Sequence, residues 1–137
     1  MSAHITTQNV HHLTPDKEQE LVEHMRTREV FVACLQETWQ QGNSQWETDD
    51  GYVFITHTHE TQCKGLGVAV VLSPQARQAW GRAGQPITRY GPRVLSVRLQ
   101  LVARHGLNRY LTVVSAYAPH SGLPLSDREQ KGSPTGA

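Results

Sequence analysis

Val30-Phe31-Val32-Ala33-Cys34-Leu35 is an unbroken run of six apolar residues, and it constrains the fold more than any other stretch of the sequence. It does not alternate, so it cannot be a strand with one face in water. A strand buried on both faces reads this way, and such strands belong to layered α/β domains. Hydrophobic residues make up 37% of the 137-residue chain, enough for one core but modest for a chain of that length.

The segments around this strand agree with that class. Ile5 to Val10 is a short β-prone segment. Thr14 follows as a helix N-cap, with Pro15 at the first helical position and Asp16 and Glu18 near the positive end of the dipole. The spacing predicts a helix from Pro15 to Arg28 with Leu21, Val22 and Met25 as its apolar stripe. Gly42 to Asp50 reads as a polar loop, Tyr52 to Ile55 as a strand, and Gly65 to Leu72 as another. Ser73-Pro74 opens a short helix carrying Ala76, Ala79 and Trp80, which the glycines at 81 and 84 close. Arg93 to Val102 alternates as a half-buried strand, His105 to Asn108 turns, and Tyr110 to Tyr117 is a further strand. One helix followed by successive hairpins predicts mixed sheets. Ser126-Asp127-Arg128-Glu129 has the form of a capping box, yet a polar, turn-rich stretch follows it. The expected organisation is therefore 1–125 as one half of a larger domain and 126–137 as a disordered tail.

Charge and cysteine content limit function less. Thirteen basic against twelve acidic residues leave a net charge of +1, which is no electrostatic footprint for nucleic acid. Seven arginines between Arg77 and Arg109 still permit a local basic patch. Cys34 and Cys63 show neither metal spacing nor a disulfide framework. Met1 to His12 lacks the pattern of a secretory signal and no stretch approaches a membrane span, so the expected setting is intracellular, in nucleus or cytoplasm, without a membrane partner.

Chemistry concentrates at strand ends. The apolar strand ends on Glu37, where layered α/β proteins gather their sites, and a carboxylate there suits a hard divalent cation. The same pattern also fits an acid that merely ends a strand at the surface. Asn9 ends the first strand in like manner, so Asn9 and Glu37 are expected to meet across neighbouring strand ends; an ordinary turn asparagine is the alternative. Tyr117 ends the last strand, where a phenol can bond a phosphate oxygen or simply be a half-buried strand tyrosine. His57-x-His59 can share one face at a strand end without an evident third ligand, and solvated loop histidines are the simpler account.

Thr7-Gln8-Asn9-Val10, Leu35-Gln36-Glu37-Thr38-Trp39, Gly67-Val68-Ala69-Val70 and Ser115-Ala116-Tyr117-Ala118-Pro119 occur in the order and spacing of one superfamily. The chain resembles the endonuclease/exonuclease/phosphatase superfamily, in particular the endonuclease domains of non-LTR retrotransposons and their domesticated relatives, from about Ile5 to Glu129. The resemblance implies part of a four-layer α/β sandwich that hydrolyses phosphodiester bonds, with DNA as the substrate class. It implies Mg²⁺, with Mn²⁺ as the alternative, held by Glu37, and Asn9 and Tyr117 as catalytic residues that position the phosphate. Two departures accompany it. The family's downstream Asp-x-Asn and Asp-His motifs are not in these 137 residues, and His11 stands where some relatives carry an acid. The implied activity is accordingly that of an incomplete site, inactive alone. The alternative is an inactive remnant that binds a protein partner through an exposed half-sheet, with Leu99, Leu101 and Val113 open to water.

Overall fold

The Thr14 hydroxyl accepts a hydrogen bond from the Lys17 backbone N–H at 3.3 Å and starts helix α1, Pro15–Arg28. Glu29 ends the helix in the left-handed conformation, with φ of 53°. The chain's structure is a computed structural model that describes residues 3–58, 66–103 and 106–118. Within them it is mixed α/β, with two helices and two sheets.

Strand β1 is His4–Asn9 and β2 is Val30–Gln36; α1 connects them and they pair in parallel, with Asn9 opposite Gln36. Strands β3, Ser44–Glu47, β4, Val53–His57, and β5, Val68–Leu72, complete a five-stranded sheet in the order β1-β2-β5-β4-β3. β2 to β3 is thus no hairpin: the chain crosses to the far edge and returns antiparallel to pair with β2 through β5. Helix α2, Pro74–Arg82, is capped by the Ser73 hydroxyl. Strands β6, Ile87–Tyr90, β7, Val94–Val102, and β8, Asn108–Ala116, form an antiparallel three-stranded sheet.

All of β2 up to Leu35 is buried, as its unbroken apolar run requires. On one side α1 places Leu21, Val22 and Met25 in a cluster with Ala33, Leu35, Phe54 and Val71. On the other, Val32, Cys34, Ile55 and Val70 meet Leu95, Val97, Leu99 and Val113 of the small sheet, together with Trp80 of α2. The expectation that Leu99, Leu101 and Val113 face water is therefore corrected. Leu99 and Val113 are fully buried and Leu101 packs against the cluster, because the small sheet closes on the large one within this same chain. Fully burying a leucine contributes roughly 1.5–3 kcal/mol, which favours that closure over an open face.

The predicted loop from Gly42 to Asp50 also needs correcting, since it contains β3. That strand lies at the sheet edge with one neighbour and mostly exposed side chains, so its composition reads as loop. Trp46 anchors it, stacking on Phe54 at 5.2 Å and donating from Nε1 to Glu18 Oε1 at 2.9 Å.

Candidate functional site

Two loops leave the carboxyl ends of β1 and β2 side by side and are laced together by their backbones. Val10 N–H donates to Gln36 O at 2.9 Å, His12 N–H to Glu37 O at 2.7 Å, and Leu13 N–H to Thr38 O at 2.8 Å. From the segment just before β5, Gly67 and Leu66 offer carbonyls to Thr38 N–H at 3.3 Å and Trp39 N–H at 2.9 Å. These bonds hold four non-glycine residues in left-handed conformations: His11, His12, Glu37 and Trp39 have φ of 45°, 80°, 58° and 59°. Such conformations persist only where their surroundings over-determine them. Gly67, with φ of 102°, lies so close beneath this crossing that a Cβ there would overlap the Thr38 hydroxyl.

Within this frame the two expected side chains meet. Asn9 Nδ2 donates to Glu37 Oε2. Asn9 Oδ1 in turn accepts from the His11 backbone N–H at 3.1 Å, so the amide orients the carboxylate and fixes the following turn. Glu37 is 8% exposed, so its carboxylate does not sit at the surface. Its second oxygen, Oε1, lies 3.3 Å from His11 Nδ1. On sequence His11 stands where some relatives of the resembled family carry an acid, and it is not among the expected site residues. Its position two residues after Asn9 was the available signal, and the left-handed turn that swings its ring back onto Glu37 is not visible in residue types. His12 stacks on Trp39 with ring centroids 5.0 Å apart, and Lys17 Nζ donates to the carbonyls of Val10 and His11 at 2.6 and 2.8 Å.

Tyr117 follows β8 directly and is buried among the side chains between the two sheets. Ser115 Oγ donates to Leu35 O at 3.0 Å, and Cys34 Sγ lies 3.8 Å from Val114 O. Successive residues of β8 thus lie over successive residues of β2. Glu37 and Tyr117, each two positions beyond the Leu35–Ser115 bond, leave their strands at the same end of the molecule.

Cys34 borders a groove of about 380 Å³ between β1 and β8, with Ile5, Thr7, Gln36 and Val114. Cys34 is buried in the core between the sheets, and burial pushes its thiol up to about 11. His57 is also no solvated loop histidine. It is buried, with Nδ1 2.7 Å from Asn43 Oδ1 and Nε2 against the Gly91 carbonyl, so both ring nitrogens are occupied in tying β4 to the β6–β7 turn. His59 lies outside the described residues, as do Cys63 and the segment 126–137. Among the described residues no group of three or more His, Cys, Asp or Glu side chains converges as a metal centre, and no helix is long and apolar enough to cross a membrane.

No family model, curated protein or solved structure matches this chain.

Proposed function

We propose that the chain carries the front part of a metal-dependent phosphodiesterase site of the endonuclease/exonuclease/phosphatase type, directed at DNA phosphodiester bonds. The observation that carries this reading is the bond from Asn9 Nδ2 to Glu37 Oε2 at the carboxyl ends of two adjacent parallel strands. It is an amide and a carboxylate oriented together where α/β proteins place their sites. The order of layers, α1 then the five-stranded sheet then the small sheet, is compatible with part of a four-layer α/β sandwich.

Glu37 is the residue that would hold the cation. One carboxylate with one oxygen engaged by Asn9 fits an ion that keeps most of its shell in water and substrate oxygens, which is the habit of Mg²⁺ and open to Mn²⁺. Such an ion supplies charge neutralisation at a phosphoryl oxygen. Asn9 holds the carboxylate in orientation, and this reading assigns contact with the phosphate to Tyr117, the residue that follows β8. The acids and histidine that would move the proton have no counterpart in these 137 residues, so this chain binds and orients but does not turn over alone.

Metal-dependent retention of a short DNA duplex, followed by fluorescence anisotropy in Mn²⁺ beside a plasmid-nicking assay, tests the proposal. The expected result is binding that weakens at least about tenfold in Glu37→Gln, with no nicking above background. Equal binding by both proteins, or nicking that persists in Glu37→Gln, would overturn it. A second reading, an inactive interaction fragment, draws on the exposed Val102, Tyr110 and Val114 of the small sheet; it predicts that Glu37→Gln changes nothing.

A further inference from the structure

We propose that the outer face of the three-stranded sheet binds single-stranded nucleic acid, with bases stacked on Tyr90 and on the Arg98–Tyr110 pair and phosphates drawn by the basic part of the chain. This surface is separate from the Asn9–Glu37 crossing, and the inference does not depend on the phosphodiesterase reading.

The first support is charge. Residues 1–60 carry ten acids and three bases, whereas residues 61–126 carry eight bases and no acid. The net charge of +1 therefore conceals two parts of opposite sign, and the positive part holds α2 and the whole small sheet. A polyanion that approaches this sheet meets no carboxylate from its strands.

The second is the character of the face. Leu95, Val97, Leu99 and Val113 lie in the layer between the sheets, so the alternate residues of their strands lie on the opposite side. Those alternates include Arg98 opposite Thr112, and Gln100 opposite Tyr110. Tyr90 of β6 shares that side, opposite Val94. Helix α2 places Ala76, Ala79 and Trp80 in the inner layer. The outer face leaves Tyr90 63% and Tyr110 53% exposed. The Arg98 guanidinium lies 4.2 Å from the centre of the Tyr110 ring, which makes a flat cationic platform. Beyond the end of β6, Arg82 Nε donates to Gln100 O at 3.1 Å and holds a further positive charge beside β7. Tyr90 and Tyr110 stand at the levels of Val94 and Gln100, about 20 Å apart along the strand, a span that takes several nucleotides.

A single strand matches both features. The bases of a duplex are stacked on one another and offer no free ring to a tyrosine. A second copy docked face to face would set Arg98 and the basic part against the same charges. An acidic protein would answer the charge alone, whereas every unit of a nucleic acid brings a phosphate and a planar base.

Anisotropy of a labelled oligothymidine of about twelve nucleotides tests this, measured in EDTA so that no metal site contributes. The expected result is binding that weakens with rising salt and exceeds that of the matching duplex at least about fivefold. Tyr110→Ala and Tyr90→Ala should each weaken it about fivefold or more, while Tyr110→Phe, which keeps a stacking ring, should stay within about twofold of the parent chain. Arg98→Gln should weaken binding and flatten its salt dependence. Glu37→Gln should change nothing, and circular dichroism establishes that each variant is folded. Binding that is absent at low salt, or unchanged in both Tyr110→Ala and Tyr90→Ala, would overturn the inference, as would binding lost in Glu37→Gln. Displacement by polyglutamate as readily as by unlabelled oligonucleotide would assign the face to acidic proteins instead. A dimer that Tyr110→Ala dissociates, with no oligonucleotide bound, would assign it to a second copy and equally overturn the inference.

Discussion

At the scale of single residues, the candidate site depends on small backbone choices more than on its polar side chains. Gly67 is the clearest case. Its φ of 102° disfavours any side chain, and a Cβ would also strike the Thr38 hydroxyl next to Glu37. Gly67→Ala should therefore cost about 2–3 kcal/mol in denaturant unfolding, more than the few tenths expected of an exposed substitution. Cys34 gives a pH-dependent prediction. Burial raises its thiol from 9.0 to about 11 in the folded chain, so the neutral form is the one folding favours. Its contribution is complete below pH 9.0 and declines as pH rises towards 11. Chemical denaturation should show wild-type stability falling more steeply over that window than Cys34→Ala. In a Cys63→Ser background, native Cys34 should resist alkylation at pH 8 that proceeds readily in denaturant. Rapid native alkylation would contradict its assignment as a packing residue.

At the scale of elements, each helix begins where a hydroxyl can cap it and a proline can follow. Thr14 and Pro15 do this for α1, and Ser73 and Pro74 for α2. Thr14→Ala should cost about 1 kcal/mol, read as a shift in the unfolding midpoint with an unchanged slope. Strands divide differently. β2 declares itself through composition, since a strand covered on both faces has no place for polar residues. β3 does not, since an edge strand needs only backbone pairing and one anchor, here Trp46.

At the scale of the whole molecule, the two sheets share one apolar layer, and Leu99 sits in it fully buried. Leu99→Ala should cost about 2–5 kcal/mol and should lower stability for both sheets in a single transition, measured by hydrogen exchange in β2 and β7 together. Separate loss of the small sheet would show that the shared layer does not couple them. The residues themselves specified the α/β class, the span of α1, the burial of β2, and Asn9 and Glu37 as polar residues ending adjacent strands. These are local matters, set by periodicity, capping and the cost of placing polar groups in a covered strand. Tertiary structure alone decided that the small sheet buries Leu99 and Val113, that β3 pairs at the edge, that His57 is enclosed, and that His11 turns onto Glu37. Each depends on segments far apart in the chain meeting in one register, and on left-handed turns that only their neighbours' hydrogen bonds sustain.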